Sequence, residues 1–257
     1  MAIKVAVVNQ KGGVGKTTTS LELATQASLH GQKVLVVDLD SQSNTTEMLL
    51  FGIEKPELTL FDLLIKSGEQ PSIVDVIVPA SDSWKNTLLI PSDCRMANVE
   101  NHLLSRISKE RILASYIQEV EENFDYIIFD TSPSIGLLVV NALVAADKYL
   151  IPTCLSEYSK HGIQTIQDTV KIVKDAGLNP NLSFAGLLVC RFQKASSKAV
   201  KELMKALSED YGEALLKPVI PDSVKVPEAQ VLGHSVGIYA PSSKISVAYS
   251  EVYKQLK

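Results

Sequence analysis

Short runs of apolar, largely β-branched residues alternate along this chain with segments whose apolar positions recur at helical spacing. The runs at Ile3–Val8, Lys33–Asp38, Thr87–Ile90, Tyr126–Asp130, Lys148–Pro152 and Ala185–Cys190 predict strands. Helical spacing predicts helices over Thr17–His30, Thr59–Lys66, Met96–Leu104, Lys109–Asn123, Ile135–Ala146, Ile163–Ala176, Lys198–Tyr211 and Ser243–Leu256. Alternation of this kind builds an α/β fold, a doubly wound and mostly parallel sheet with helices on both faces. Val34–Val37 and Tyr126–Phe129 are apolar throughout, as strands covered on both faces must be. The least regular stretch, Phe51 to Trp84, holds Pro56, Gly68, Pro71 and Pro79 and reads as a surface excursion within a single domain over 1–257.

Composition narrows the class. Apolar residues make up 46% of the 257 and charged residues 21%, which suits a soluble domain with a large core. The net charge of -4 argues against a surface that coats nucleic acid everywhere, but leaves room for a local basic patch. The longest apolar stretch, Ile135 to Ala146, is broken by Asn141 and is too short to span a bilayer; no signal peptide is visible. Cys94, Cys154 and Cys190 are widely spaced, as are His30, His102, His161 and His234, so neither a disulfide framework nor a metal-histidine site is expected. A cytoplasmic protein is the expectation.

The strongest chemical signal is Lys11-Gly12-Gly13-Val14-Gly15-Lys16-Thr17-Thr18, between the first strand and a long helix. Glycines let the backbone curl so that its N–H groups point at phosphate oxygens, and the helix start adds partial positive charge. Lys16 would reach the β- and γ-phosphates, and the Thr17 hydroxyl would ligate Mg²⁺. In a GxxxxGK[ST] loop the first glycine would stand at position 10, which is Gln10 here. Lys11 is instead a second cation at the mouth, able to reach a nucleotide held by another subunit.

Two strands end in acids. Val34–Val37 runs into Asp38-Leu39-Asp40, and side chains at i and i+2 share a face, so both carboxylates can point toward the phosphate site. Tyr126–Phe129 runs into Asp130, followed by Thr131-Ser132-Pro133-Ser134, in which Ser134 is a candidate cap for the next helix.

The lysine-bearing loop resembles the deviant Walker A box of the ParA/MinD group of P-loop NTPases, and the chain resembles the ParA/Soj-type partition ATPases in particular. Ser41-Gln42-Ser43-Asn44 is similar to that family's segment after its paired aspartates, with Ser41 in place of proline. Further similar segments are Leu89-Ile90-Pro91-Ser92, before the helix carrying Glu100; Glu157-Tyr158 through Gly162-Ile163; and Val219-Ile220-Pro221-Asp222-Ser223-Val224-Lys225. The resemblance implies two subunits sandwiching two ATP molecules, with Lys11 contacting the partner's nucleotide and Gly12 in the close contact. It implies that Asp40 positions or activates the attacking water, that Asp38 supports the magnesium shell, and that Asp130 holds Mg²⁺ through water. It places Pro221 and Asp222 near the adenine, the latter at a position often basic in relatives.

Residues 160–205 carry a local charge of +5, with Lys194, Lys198, Lys201 and Lys205 on one helical stripe and Val200, Leu203, Met204 and Leu207 opposite. Residues alone make this a solvated helix face. The resemblance makes it, with Lys225, a surface for nonspecific double-stranded DNA, contacting phosphates without base readout. The expected partners are then a second copy when ATP is bound, nonspecific DNA on the nucleoid and a ParB-like adaptor. The expected reaction is slow, partner-stimulated ATP hydrolysis, and no helix-turn-helix domain is expected before Met1. ParA-like positioning of a protein complex is an alternative use. A MinD-like membrane regulator is another, but needs an amphipathic anchor, whereas Ser243–Lys257 reads as a helix packed on the domain.

Overall fold

A computed structural model describes residues 2–65, 71–156, 159–193 and 197–256. Lys194 and the Glu157-Tyr158 segment lie outside the described residues. Seven strands form one sheet: β1 Ile3–Val7, β2 Val34–Asp38, β3 Val78–Pro79, β4 Thr87–Ile90, β5 Tyr126–Asp130, β6 Lys148–Thr153 and β7 Ser183–Val189. Their order is β3-β4-β2-β5-β1-β6-β7, and every pairing is parallel except β3 with β4. The two-residue β3 is the one strand that the sequence pattern does not predict, because a run of two carries no period.

Alternate strand residues feed two cores, as a sheet buried on both sides requires. Leu35, Val37, Ile127 and Phe129 pack on one face and Val34, Val36, Tyr126 and Ile128 on the other. The second face is covered by α1 (Lys16–Leu29) and the C-terminal helix α12 (Lys244–Gln255), through Leu21, Ala24, Ile245 and Tyr249. The first is covered by helices that include α5 (Val99–Leu103), α6 (Ile112–Gln118), α7 (Leu137–Ala145), α8 (Ser159–Asp175) and α9 (Lys198–Tyr211). The expected doubly wound fold is therefore present, with α12 packed on the sheet.

Local differences have physical causes. Within the excursion from Phe51, α3 (Leu60–Leu64) falls inside the predicted Thr59–Lys66 helix and α4 (Ile73–Val76) is an addition; each begins with a capping box, at Thr59 with Asp62 and at Ser72 with Asp75. Trp84 is buried and donates its Nε1–H to the Gly233 carbonyl at 3.1 Å. The short α2 (Asn44–Leu49), α10 (Lys225–Val231) and α11 (Val236–Tyr239) are stabilised by tertiary contacts rather than by period. Ser134 does not cap α7. That helix starts at Leu137 after Gly136, and the Glu100 carboxylate accepts the Leu138 N–H at 3.2 Å from another element.

Candidate nucleotide site

The loop after β1 turns by glycine. Gly13 and Gly15 take φ of +72° and +96°, which side chains with a Cβ disfavour. Gly15 precedes α1 and supplies no side chain to cap it, which leaves first-turn N–H groups for a ligand. Val14 is buried and anchors the loop, while Gly12 is exposed and an added Cβ there would meet nothing within 4 Å. The two lysines part company. Lys16 is buried and donates to the Lys11 carbonyl at 3.2 Å; burial pulls its pKa down, against Asp130 and Asp40. Lys11 is half-buried, and its Nζ donates to the Ser156 hydroxyl at 2.8 Å.

Asp130, at the end of β5, is buried and accepts three hydroxyls: Thr17 at 2.9 Å, Ser20 at 2.9 Å and Thr45 at 2.6 Å. Burial raises its pKa, and those hydroxyls and Lys16 pull it back. Asp38 is buried too, and both its oxygens are engaged. Oδ1 accepts the Asp40 N–H at 3.0 Å, and Oδ2 accepts the Thr46 N–H at 2.9 Å and hydroxyl at 2.7 Å. Asp38 thus holds the loop that carries Asp40. Four hydrogen bonds shape that loop around Ser41: Asp40 N–H to Asp38 Oδ1, Gln42 N–H to Asp40 Oδ1, Ser43 N–H to Asp40 O, and the Ser92 hydroxyl to Asp40 O. Thr45 and Thr46, which sequence reasoning passed over, tie α2 to both aspartates.

A cleft of about 990 Å³ opens beside these groups at the carboxyl edge of the sheet. Gly12, Gly13, Gly15, Lys16, Thr17, Thr18 and Asp40 form one part; Ile220, Pro221, Asp222 and Tyr249 are among the residues forming another. Arg191 also lines it, and sequence reasoning had counted it only as charge. It follows β7 at φ +54°, donates to the Gly13 carbonyl at 3.3 Å and lies 3.7 Å from Asp222. Gln193 donates to the same carboxylate at 3.0 Å.

The stripe on α9 faces outward. Lys198, Lys201 and Lys205 are exposed, Leu207 is buried, and Leu203 and Met204 pack on the core. Ser197 caps the helix, accepting the Val200 N–H. Lys198 and Lys205 each pair with an acid four residues on, Glu202 at 3.8 Å and Glu209 at 3.7 Å. Lys225 stands apart on α10, paired with Glu228 at 2.7 Å and lying over the Tyr239 ring.

Comparison with known proteins agrees with this geometry. Residues 2–184 match the model of a family described as AAA domain. Over 254 residues the chain is 33% identical to the sporulation initiation inhibitor protein Soj of Bacillus subtilis (strain 168), covering 98% of this chain and 97% of Soj. The chain belongs to the ParA/Soj-type family of P-loop ATPases. Among solved structures, this ParA-type chain superposes on an ATP complex of Cyanothece McdA with a TM-score of 0.84 and 26% identity, covering 100% and 95% of the two chains. It superposes on cobyrinic acid a,c-diamide synthase of Mycobacterium smegmatis, bound to an ATP analogue and magnesium, with a TM-score of 0.82 and 26% identity over 99% and 93%. Among the described residues of the ParA-type chain, no helix is long and apolar enough to cross a membrane.

Proposed function

We propose that this chain is an ATP- and Mg²⁺-dependent dimerising switch that binds DNA without sequence preference and segregates or positions a DNA cargo through a ParB-like adaptor. The observation that carries the reading is the division of labour between two loop lysines: Lys16 is buried and feels the Asp130 and Asp40 charges, whereas Lys11 Nζ is held by the Ser156 hydroxyl. One nucleotide needs the first; the second serves a neighbour's nucleotide across the exposed Gly12.

The residues fit the cofactors. Thr17 and Asp130 place a hydroxyl and a carboxylate 2.9 Å apart, hard oxygen donors of the kind that hold Mg²⁺ beside phosphates. Among the described residues no cluster of His, Cys, Asp or Glu would hold a metal by itself, which suits an ion that arrives with a nucleotide. Bound there, Mg²⁺ would neutralise phosphate charge. Lys16 and the loop N–H groups cradle the phosphates, Pro221 and Asp222 border the base, and Asp40, held by its loop, orients the attacking water. Asp38 supports the magnesium shell at one remove, as the register neighbour of Asp130 and the anchor of Asp40. Hydrolysis is slow until the adaptor docks.

DNA would be met by Lys198, Lys201 and Lys205, with Lys194 and Lys225, on both subunits of the dimer. The acid pairings on α9 are exposed and weak, and phosphates replace them readily. The protein would be cytoplasmic and nucleoid-associated.

Sizing and DNA mobility in ADP and in ATP, for wild type, Lys16→Ala and Asp40→Ala, test the reading. The expected result is an ATP-only dimer that shifts any duplex, trapped by Asp40→Ala and lost in Lys16→Ala. Charge reversal at Lys201 lowers the slope of log affinity against log salt by about 1 for each phosphate that the lysine neutralises. An ATP dimer that ignores DNA at low salt and binds anionic liposomes instead overturns it.

A further inference from the structure

No step of the proposed nucleotide chemistry uses the three cysteines, yet two of them lie against the phosphate loop, Cys190 also lining the cleft. We propose that Cys154 and Cys190 are a reversible modification site, a thiol pair that peroxides convert to a disulfide under the phosphate cradle.

The pairing follows from strand register. β6 and β7 run parallel with Thr153 opposite Val189, and the Cys190 N–H donates to the Thr153 carbonyl at 2.7 Å. That bond extends the ladder one step and sets Cys154 opposite Cys190. Adjacent strands are about 4.8 Å apart, inside the Cα separation of roughly 4.4–6.8 Å that a disulfide spans. The side chains share a face. Tyr149, Ile151, Leu187 and Val189 enter one core, while Leu150, Leu188 and Cys190 enter the other. Cys154 is four residues beyond Leu150, so alternation returns it to the side of Cys190.

That side underlies the cradle. Cys154 Sγ lies 3.9 Å from the Gly13 carbonyl oxygen, and Cys190 Sγ lies 3.6 Å from where a Cβ on Gly15 would stand. The two glycines that turn the loop each rest on one sulfur. Cys154 is half-buried; burial pushes its pKa up, while Arg191 and Lys11 draw it back. Cys190 is buried, and burial pushes its pKa up to about 12. Cys154 therefore meets an oxidant first.

With hydrogen peroxide the Cys154 thiolate attacks the O–O bond, giving a sulfenic acid and releasing hydroxide, which takes up a proton to become water. The Cys190 sulfur then displaces the sulfenic oxygen as a second water and loses its proton. Two thiols are oxidised by two electrons and one peroxide is reduced to two waters. A dithiol reverses the bond by exchange. Closing it draws Cys154 Sγ away from the Gly13 carbonyl and toward the underside of Gly15. The cradle must shift, and nucleotide affinity falls. A bound nucleotide holds the loop and slows the oxidation.

The test uses the full chain, treated with hydrogen peroxide with and without ADP. The expected result is an intact mass lower by two hydrogens, a Cys154–Cys190 linked peptide on digestion, and a loss of about tenfold or more in affinity for a fluorescent ADP analogue. Dithiothreitol restores affinity, and ADP slows cross-linking. Cys154→Ser and Cys190→Ala, each compared with its own untreated form, become insensitive, whereas Cys94→Ser stays as sensitive as wild type. Should Cys190→Ala fail to fold, Cys154→Ser decides. Peroxide that consumes thiols without the 154–190 link, or an equal loss of nucleotide binding in Cys154→Ser, overturns the proposal.

Discussion

Asp38 and Asp130 end neighbouring strands directly opposite one another, in register across β2 and β5. Both are buried and both have partners, but of different kinds. Asp38 is held by the loop that carries Asp40, and Asp130 by hydroxyls from the phosphate loop helix and α2. Burial, and then the neighbouring Asp130 charge, hold the Asp38 carboxyl up to about 7.

Asp130→Asn tests the magnesium role proposed for this carboxylate. The amide keeps the volume and one acceptor for the three hydroxyls, but loses the charge. Affinity for Mg²⁺ in the presence of ADP falls by about 10–100-fold or more, while metal-free ADP binding changes little. Calorimetric titration of Mg²⁺ into the ADP complex reads the difference; equal affinity in both proteins would remove Asp130 from the metal's surroundings.

Lys16→Ala removes a buried cation. Charge-assisted bonds to phosphate of about 1.5–3 kcal/mol are lost, so ADP binds roughly 10–150-fold more weakly. Without nucleotide the variant melts somewhat below wild type, because the buried Asp130 loses a compensating charge. Melting curves with and without MgADP check both halves, and a ligand-induced rise matching wild type would exclude the role.

Glu22, on α1, is buried and accepts the N–H groups of Val236 at 2.5 Å and Gly237 at 3.1 Å. Burial pushes its carboxyl up to about 7, with those two bonds opposing. The folded form thus holds this proton more tightly than the unfolded chain does. Stability falls as pH climbs from the group's ordinary value of 4.5 to about 7, and levels off above. The loss from this group amounts to about 3 kcal/mol at most. Urea midpoints of the nucleotide-free protein between those pH values should fall less steeply in Glu22→Gln, leaving the slope due to Asp38 and Asp130; an unchanged slope would show that Glu22 does not titrate there.

Gly186 sits in β7 where the register with β6 slips between Tyr149 and Leu150, at φ +143°. A Cβ there would stand 2.9 Å from the Ala214 carbonyl oxygen and 2.6 Å from Leu216 Cγ. Gly186→Ala therefore combines backbone strain with a clash against main chain, costing about 2–4 kcal/mol. Thermal unfolding should drop by roughly 5–15 °C. A variant that melts like wild type would mean that the bulge relaxes.

Much of this architecture was legible in residue order because its strands are apolar throughout and its phosphate loop is a contiguous string. Lys16, Thr17 and Asp130 could be placed before any coordinates, since each belongs to a local pattern. What escaped depends on distance in sequence. Arg191 reaches Gly13 across 178 positions, and Thr45 and Thr46 acquire their aspartates only when α2 folds against two strand ends. Ser134 had the chemistry of a cap, but Glu100 reached the helix start from another element. The lysine stripe on α9 was visible as a period. Its acidic partners, Glu202 and Glu209, were in the same string, and only the helix shows that they share its surface.

The sheet is sealed at both margins. On one side β3 is two residues long and ends in Pro79, which has no N–H to offer another strand. On the other, the chain from Leu215 to Pro221 runs beside β7: the Leu216 and Ile220 N–H groups take the Leu187 and Val189 carbonyls, and Phe192 returns its own N–H to Ile220. Copies of this protein therefore cannot stack by lending strands to each other. Any assembly they make must be written in loops and side chains rather than in added strands, and can be undone without unfolding the sheet.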